Sequence, residues 1–499
     1  MFGSAVWRGR VAWASPDLLA AALAGFSVGP MLLLVAGHFG AALAVPLGLA
    51  GAAVACWLAG LPDRDELRGA PLWTWAALLV AVVWFAYNVR YSAQDVYQTR
   101  DPATYTITGQ WLVHHGSLQI HTLPQIFGSP PNSIAASGSY AQVGPGLLNA
   151  QGDHLLPVLL ALSGSLFGTA ALLKTGVVLA ALSLIVFFGL ARRVVGPFLA
   201  LLAMIALAVS TPMIFVGRDS YTEPLTMLFL TGALLFVHRG WTSGRGRDWA
   251  LAGLLGGAST CVRVDSYGAL AGVVLSVALY VAVATGAQRR RVRHAGAFLL
   301  GAVAPVTLGW LDLTHLSRQY YQAQHANITY IAELLVAVTL LSPVAIWLLR
   351  RTRLRDWVAS QTVAHRVPQI AAVVLAVVFA LLVTRPAWQT THGAFNQDLV
   401  NMQLRWGAPV DGTRTYNEHT LYWQVYYYGW PTIVLGFAGY AVLITYFVRE
   451  RRYELSALLG SGLSMSALYL YTSQVAPDQP WAMRRYMPVI VPLMLIAAA

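Results

Sequence analysis

The feature that most constrains this chain is the recurrence of apolar runs about twenty residues long over its whole length. A helix of roughly twenty residues spans about 30 Å, which is the hydrocarbon thickness of a bilayer. Only 10% of the 499 residues are charged, whereas soluble domains average roughly a quarter. We therefore predict an all-α polytopic membrane protein in which residues 1–499 form a single transmembrane domain in the lipid bilayer.

The candidate spans follow from the apolar runs. They lie at about 17–37, 41–60, 71–89, 172–191, 195–215, 224–238, 248–262, 266–286, 295–313, 331–349, 368–385, 430–448, 454–473 and 487–499. The last run is still apolar at Ala499, so we expect the natural chain to continue. The stretch 153–168 is apolar but short, and we interpret it as a shallow or re-entrant helix. The alternative is that one of the early spans is wrongly assigned.

Arginine predicts the orientation, because basic residues concentrate in cytoplasmic loops. Alternate loops after residue 190 are rich in arginine, and we place them in the cytoplasm together with the basic N-terminus. The cytoplasmic arginines are Arg192, Arg193, Arg239, Arg245, Arg247, Arg289, Arg290, Arg291, Arg293, Arg350, Arg351, Arg353, Arg355, Arg366, Arg449, Arg451 and Arg452. This topology accounts for the net charge of +12, so we expect no nucleic-acid partner. Two long loops, 90–152 and 386–430, then lie outside.

The segment QDVYQTRDPATYTITGQWL, residues 94–112, places Asp95, Arg100 and Asp101 where the chain leaves the third span. Its spacing predicts a helix that begins at Asp101-Pro102 and places Tyr105 on the same face as Thr108. Asp101 has two interpretations. It caps this helix, or it is a carboxylate whose pKa partial burial raises, which would make it a better base.

Three further charged clusters lie on the same predicted side: GRDSYTEP (217–224), CVRVDSY (261–267) and WAMRRYMP (481–488). Asp219 and Glu223 are four residues apart and would share a face if helical. One such cluster would be explained as a structural ion pair. Four on one side favour a shared site, because charges at membrane depth are costly and face a cavity or one another. The candidate residues are Arg218, Asp219, Glu223, Arg263, Asp265, Arg484, Arg485 and Tyr486.

The second external loop ends in YNEHTLYWQVYYYGWP, residues 416–431, which is dense in aromatic residues and contains Glu418 and His419. An aromatic belt at the membrane interface explains this composition without a function. A platform for a sugar or a lipid would use the same residues. We therefore keep Glu418 and His419 as candidate substrate-binding residues.

The stretch DPATYTITGQWLVHHGSLQI resembles the first external loop of GT-C-fold membrane glycosyltransferases that use polyprenyl-phosphate sugars, of the protein mannosyltransferase and aminoarabinose transferase type. Asp101, Tyr105 and Gly116 match the pattern of that loop. Asp219 matches a second external acidic residue of the family, and RRYMPVIVP resembles an Arg-Tyr-x-x-Pro segment near the end of its membrane region. The two spans before residue 71 look like an addition to the family layout.

The resemblance implies transfer of a sugar from a polyprenyl phosphate to an acceptor hydroxyl on the outer face of the membrane, with inversion. The acceptor is a glycan, a lipid or a protein. Asp101 would be the general base, and Asp219 or Glu223 would position acceptor or donor. Arg263, Arg484 and Arg485 would hold the phosphate, with Asp95, Arg100, Tyr105, Arg218, Asp265 and Tyr486 as further substrate-binding candidates.

Many family members have two adjacent acidic residues where this chain has Asp101 followed by Pro102. We therefore expect no metal ligands and no required cofactor, and a divalent cation is the alternative. The other function that we consider is a transporter or flippase of a lipid-linked substrate, although no inverted repeat is visible; a non-catalytic scaffold is a third. The arginine-, alanine- and glycine-rich composition suggests a bacterial source and hence the bacterial plasma membrane.

Overall fold

The computed structural model describes residues 2–61, 71–96, 100–122, 139–352, 356–357, 360–473 and 475–499. Within these residues, nine helices are long and apolar enough to cross a membrane, or up to ten if one bent pair forms a single span. The predicted polytopic helical fold is therefore confirmed. Arg353 and Arg355 lie outside the described residues, as do parts of the first external loop at 97–99 and 123–138.

In the first half of the chain, the described residues form ten α-helices. They are α1 (Phe2–Val35), α2 (Ala41–Ala59), α3 (Pro71–Asn88), α4 (Asp101–His114), α5 (Leu155–Phe167), α6 (Thr169–Val194), α7 (Pro197–Ala208), α8 (Thr211–Gly217), α9 (Glu223–Ser243) and α10 (Gly246–Ser259). The predicted span 195–215 is broken into α7 and α8, whose axes differ by 67°. The break has a local cause, because Ser210 caps α8 through the Met213 N–H and Pro212 cannot donate to a preceding turn.

The second half contains α11 (Ser266–Val283), α12 (Gly286–Val292), α13 (Ala297–Leu311), α14 (Arg318–Ala323), α15 (His325–Arg351), α16 (Gln361–Trp388), α17 (Gln397–Trp406), α18 (Thr420–Arg449), α19 (Ser456–Tyr471) and α20 (Ile490–Ala498). A single π-helical turn, Asp312–Leu316, follows α13. The longest helices of this half differ sharply in burial, since only 6% of the apolar window of α15 or α16 is buried, against 61% for α11.

Four predicted spans are not among the membrane-crossing helices. The runs 248–262, 454–473 and 487–499 form α10, α19 and α20, which have 14, 16 and 9 residues, and 224–238 lies in α9, which is buried along most of its length. The physical reason is that an apolar run does not show where the helix within it begins and ends, and α10 and α19 are too short to cross a bilayer by themselves. The short helix predicted at 153–168 is confirmed as α5; its 13 residues reach only about 20 Å.

The core brings helix backbones into direct contact through glycine. A Cβ on Gly253 of α10 would lie 1.8 Å from the Phe298 carbonyl oxygen, and one on Gly301 of α13 would lie 1.9 Å from the Ala250 carbonyl oxygen. Small residues permit this approach where lipid provides no hydrophobic driving force between helices. The consequence is a rigid base beneath the segment 260–265, which joins α10 to α11 and carries two of the candidate site residues.

The loop 90–152, which the sequence predicts to be external, contains a small sheet that the sequence did not predict. Strands β1 (Gln119–His121), β2 (Tyr140–Gly144) and β3 (Leu147–Ala150) pair in the order β1-β3-β2, all antiparallel. The sheet is tied to the π-helical turn, since the Asn149 side chain donates to the Leu316 carbonyl at 2.6 Å. His154 donates its backbone N–H to Asp312 at 2.8 Å. The part of the loop that follows α4 is therefore anchored to the bundle.

Candidate active site

The centre of the site is a series of alternating carboxylates and guanidinium groups, which we call the outer ion network: Asp101, Arg484, Glu223, Arg263, Asp265 and Arg485. Arg484 donates to Asp101 at 2.5 Å and to Glu223 at 2.7 Å. Arg263 donates to the same Glu223 oxygen and also donates two hydrogen bonds to Asp265, of 3.0 and 2.8 Å. Four sequence segments thus converge, as the sequence analysis expected.

Glu223 is the buried carboxylate that joins Arg263 and Arg484 within this network. Its side chain is 0% exposed and contacts both Arg263 and Arg484. α9 begins at Glu223, so the positive end of the helix dipole also faces this carboxylate. A residue enclosed in this way fixes the two guanidinium groups, and it is not exposed to contact a substrate directly.

Asp101 does not cap α4 through its side chain. Arg100 occupies the N-cap position and no side chain bonds to the first turn. The Asp101 carboxylate instead faces Arg484 and keeps 42% of its side-chain surface accessible. The capping interpretation is therefore wrong, and the carboxylate is the accessible end of the outer ion network.

The pKa of Asp101 moves in the direction opposite to the expected one. Burial acts to raise it, but the charge and hydrogen bond of Arg484, with the charges of Arg263 and Arg485, outweigh burial and lower the pKa below the ordinary value. Asp101 is therefore ionised at neutral pH and ready to accept a proton. The expected rise in the pKa of Asp101 is wrong because Arg484, a distant residue in the sequence, is its neighbour in the fold.

Asp219 behaves differently from Asp101. It lies in the turn between α8 and α9, so it does not share a helical face with Glu223 as expected. Its carboxylate accepts the Ser220 N–H at 2.7 Å. Burial and the negative charge of Asp95 raise the pKa of Asp219 to about 7, against the opposing Ser220 bond. Asp95 and Asp219 thus form an acidic pair separate from the outer ion network.

Two predicted arginines serve the scaffold around this turn. Arg218 donates to Asn88 at 2.7 Å and lies 5.0 Å from the centroid of the Tyr91 ring, so it fastens the α8–α9 turn to α3. Arg100 pairs with Asp478. Neither side chain contacts the outer ion network in these interactions.

Trp481 is a residue that the sequence analysis did not single out. The guanidinium carbons of Arg100 and Arg484 lie 4.5 and 4.3 Å from its ring centroid. The Tyr221 ring meets it edge-on at 5.8 Å between centroids. An aromatic residue three positions before Arg484 in a basic segment was the available signal, since guanidinium groups stack on indole rings.

The end of the outer ion network formed by Asp265 and Arg485 opens into a cavity of about 820 Å³, a volume suited to a small-molecule substrate. Asp265 and Arg485 both line it. Asp265 also accepts a hydrogen bond from Tyr469 at 3.0 Å, so its charge is neutralised mainly by Arg263. Arg485 is 3.9 Å from Asp265, and its Nε atom is buried without a hydrogen-bond partner among the described residues.

The cavity wall is part polar and part apolar. α15 and α19 contribute apolar side chains such as Ile331, Leu334 and Leu468. The second external loop and the start of α15 contribute amides, hydroxyls and one imidazole. The polar wall comprises Gln324, Asn327, His392, Asn396, Thr415 and Asn417.

An apolar groove of about 250 Å³ continues from the cavity between α11 and α15. Leu334 lines both spaces, and the groove extends along α15 to Leu349. Fifteen residues of helix correspond to about 22 Å. The groove is lined almost entirely by apolar side chains, so it can hold an apolar chain that extends from the cavity along α15.

The remaining candidates form no ion pair or hydrogen bond with the outer ion network among the described residues. Glu418 is 1% exposed and is paired with Arg414, while it also accepts from Thr391 at 2.6 Å, so it fixes the loop that carries the polar wall. His419 is adjacent to it. Tyr486 is fully buried and bonds to the Tyr469 carbonyl. Tyr105 is half-buried and close enough to Asp101 for the carboxylate charge to act on the Tyr105 hydroxyl.

The donor set around Asp101 does not fit a divalent cation. Each carboxylate of the outer ion network already faces an arginine, and a cation would have to displace guanidinium groups. No group of three or more histidine, cysteine, aspartate or glutamate side chains able to hold a metal occurs in the part of the chain that the structure describes.

A comparison with protein families matches residues 154–311 to dolichyl-phosphate-mannose-protein mannosyltransferases. The match covers about a third of the chain and agrees with the resemblance seen in the sequence. It includes Asp219, Glu223, Arg263 and Asp265 but not Asp101 or Arg484. The roles of all these residues in catalysis and binding stay predictions. A search of curated protein sequences finds no match.

Among solved structures, two of the oligosaccharyltransferase of Archaeoglobus fulgidus resemble the chain. The apo crystal structure is 15% identical with a TM-score of 0.47 and aligns with 85% of this chain. AglB in complex with an inhibitory peptide and a dolichol-phosphate is 13% identical with a TM-score of 0.45 and aligns with 84%. In both cases the chain spans 50% of the length of the archaeal protein.

Proposed function

We propose that this chain transfers a sugar from a polyprenyl-phosphate donor to an acceptor hydroxyl at the outer face of the membrane. The observation that supports the proposal most directly is the position of the outer ion network. One end is an accessible carboxylate, and the other is an arginine that lines a cavity with an apolar exit. A base, an anion-binding group and a route for a lipid are thus arranged in that order.

The donor would place its phosphate at Arg485. This guanidinium has an unpartnered Nε and a carboxylate only at 3.9 Å, so it can form charge-assisted bonds with phosphate oxygens. The prenyl chain would lie in the groove between α11 and α15, where Leu334 joins the groove to the cavity. Arg263 and Arg484, held by Glu223, would add positive potential without leaving their carboxylates.

Asp101 would act as the general base. The acceptor oxygen attacks the anomeric carbon while its proton passes to the Asp101 carboxylate. The bond between the anomeric carbon and the phosphate oxygen breaks, its electron pair stays on that oxygen, and polyprenyl phosphate leaves. Because attack and departure occur on opposite faces of the sugar, the anomeric configuration inverts.

The arginines would lower the barrier by stabilising charge that appears on the leaving phosphate. Arg485 would contact it directly, and the fixed positions of Arg263 and Arg484 require no reorganisation during the reaction. Asp219, paired with Asp95, would position the acceptor. We place the reaction on the extracytoplasmic side of a bacterial plasma membrane, on the basis of the arginine distribution and the composition.

The test is an assay of the purified protein in detergent with short-chain polyprenyl-phosphate sugars, which measures release of polyprenyl phosphate. Wild type should release it, and Asp101→Asn should lower the rate by about 10²–10⁴-fold, the usual contribution of a general base. Asp398→Asn, which alters an exposed carboxylate on α17, should retain wild-type activity and serves as the matched control.

Two outcomes would count against the proposal. Equal release by wild type and by a folded Asp101→Asn protein would reject Asp101 as the base. No release from any donor by wild type would reject the transferase reaction and favour a transporter, which moves its substrate only between two compartments and so shows nothing in detergent.

A further inference from the structure

We propose that the arginines of α12 form a binding surface for the head groups of anionic phospholipids. This surface lies at the opposite end of the bundle from the outer ion network. α9 begins at Glu223 of that network and ends beside α12, where its C-cap residue Gly244 lies against Arg291. The inference therefore does not depend on the proposed function.

α12 is a short helix with most of its positive charge on one side. Its only buried side chain is that of Val292, which is 3% exposed. The arginines at 289, 290, 291 and 293 are all exposed. Because successive helical residues are rotated by about 100°, Arg289, Arg290 and Arg293 lie within one sector of about 100° on the side away from Val292. We call these three residues the α12 arginine surface.

The α12 arginine surface lacks a counter-charge among the described residues. Arg289 and Arg293 are four residues apart, and like charges at this spacing destabilise a helix. Two carboxylates near the same end of α9, Asp248 and Glu454, are each paired with another arginine, at 2.9 and 3.0 Å. An anion bound across the three guanidinium groups would relieve their repulsion.

The α12 arginine surface also lies at the level of lipid head groups. α12 forms the start of the membrane-crossing candidate Gly286–Leu316. On α13, the next helix of that candidate, Leu299, Leu300 and Val303 are exposed, as expected for side chains that contact acyl chains. Leu300 comes seven residues after Arg293, which corresponds to about 10 Å along a helix. Basic clusters this close to a span attract anionic lipids.

An anionic phospholipid matches both parts of this surface. Its phosphate oxygens accept the charge-assisted hydrogen bonds that guanidinium groups donate, and its acyl chains would lie against the apolar side of α13. A soluble phosphate would make only the first of these contacts. The preference for basic residues in cytoplasmic loops accounts for arginine in this loop, but it does not require three of them on one exposed side of a helix next to a lipid-facing surface.

The test variant removes the charge of the α12 arginine surface and keeps the side chains polar. It is the triple substitution Arg289→Gln, Arg290→Gln and Arg293→Gln. Arg291 is retained because it lies against Gly244 and holds α12 on α9.

The matched control removes the same charge from three separate exposed positions. It is the triple substitution Arg90→Gln, Arg318→Gln and Arg405→Gln, which alters the turn after α3, α14 and α17. Thermal unfolding in lipid-free detergent shows that both triple variants are folded.

Native mass spectrometry of the purified full chain then gives the Kd of the first bound lipid, for phosphatidylglycerol and for phosphatidylcholine with identical acyl chains. Each arginine near an anionic surface contributes about fivefold in affinity. Wild type and the control should therefore prefer phosphatidylglycerol by at least about tenfold. The α12 variant should bind the two lipids within about threefold of each other.

Three outcomes would overturn the inference. Equal affinity of wild type for both lipids would show that there is no anionic-lipid site. An equal loss of preference in the control and in the α12 variant would show that total charge, and not α12, attracts the lipid. Displacement of phosphatidylglycerol by excess glycerol 1-phosphate would show that the arginines bind soluble phosphate and that the acyl chains contribute nothing.

Discussion

The protein contains two ion networks on one helix, and they differ in how completely they are closed. Glu223 at the first residue of α9 belongs to the outer ion network, and Arg239, sixteen residues later and about 24 Å away along the helix, belongs to the other. We call the latter the inner ion network. In it, Asp17 faces Arg192, Arg193 and Arg239, and Arg239 also pairs with Asp248.

The inner ion network is closed and the outer one is open. Asp17 and Asp248 are 3% and 0% exposed, and their arginines are at most 13% exposed. Asp101 and Arg485 are 42% and 32% exposed. Similar residue types thus give a lock between α1, α6, α9 and α10 in one case, and an accessible base and cation in the other. What separates them is incomplete pairing, which leaves groups available to a substrate.

The largest effect should come from opening the inner ion network. Asp17→Asn leaves Arg193 buried without its carboxylate and Arg239 with Asp248 alone, so we expect the free energy of unfolding to fall by about 3–5 kcal/mol. The measurement is thermal or denaturant unfolding in detergent, with turnover determined per folded molecule.

Turnover per folded Asp17→Asn molecule should stay within about twofold of wild type if the inner ion network is only a lock. Asp398→Asn, at an exposed site, should change neither quantity. A large loss of turnover without a loss of stability would show that the inner ion network takes part in catalysis and is not only structural.

A smaller effect is expected at Trp481. Trp481→Ala removes the ring that lies between Arg100 and Arg484, and two cation–π contacts of about 0.5–1 kcal/mol each correspond to roughly tenfold in kcat/KM. Trp481→Phe keeps an aromatic face and should recover most of the rate.

The pH profile shows whether Trp481 acts through Asp101. Arg484, Arg263 and Arg485 favour the ionised carboxylate, whereas Glu223 opposes it by charge. A looser Arg484 lets the pKa of Asp101 rise, so the low-pH limb of kcat/KM should move to higher pH in Trp481→Ala. Lower stability with an unshifted limb would mean that Trp481 is only a packing residue. A wild-type limb near pH 7 would assign the base to Asp219, whose pKa is about 7.

The smallest effect on catalysis is expected at the turn that carries Asp219. A Cβ on Gly176 of α6 would lie 2.2 Å from the Asp219 carbonyl oxygen, so Gly176→Ala must displace the turn or α6. We expect about 1–3 kcal/mol of destabilisation and a severalfold rise in KM for the acceptor.

Gly253→Ala is the control for Gly176→Ala. It creates a similar backbone clash between α10 and α13, away from Asp219, and should destabilise without raising KM for the acceptor. Equal KM values in both variants would show that the α8–α9 turn does not position the acceptor.

Most of the helical architecture was readable from the sequence, because the apolar runs reflect a requirement on every residue of a membrane-crossing helix. The runs that became α10 and α19 form helices of only 14 and 16 residues, and an apolar run does not show where its helix ends. The sheet of β1, β2 and β3 was missed because strands of 3 to 5 residues are too short to show a clear alternation.

The site residues show the same division. That Asp101, Glu223, Arg263, Asp265 and Arg484 would meet was predicted from their common side of the membrane, and the structure brings them together. The pKa direction, the burial and the partner of each residue were not predictable from the sequence. The pKa direction of Asp101, the enclosure of Glu223 and the attachment of Arg218 to Asn88 each depend on a partner more than a hundred residues away in the chain.

The sequence by itself determined that this is a polytopic helical membrane protein with charged groups gathered on one side, because hydrophobicity and charge placement act locally along the chain. Only the tertiary structure decided which charges are closed into a lock and which stay accessible beside a cavity. The reason is physical: an ion pair forms or stays open according to distance and burial, and both are set by how the helices pack.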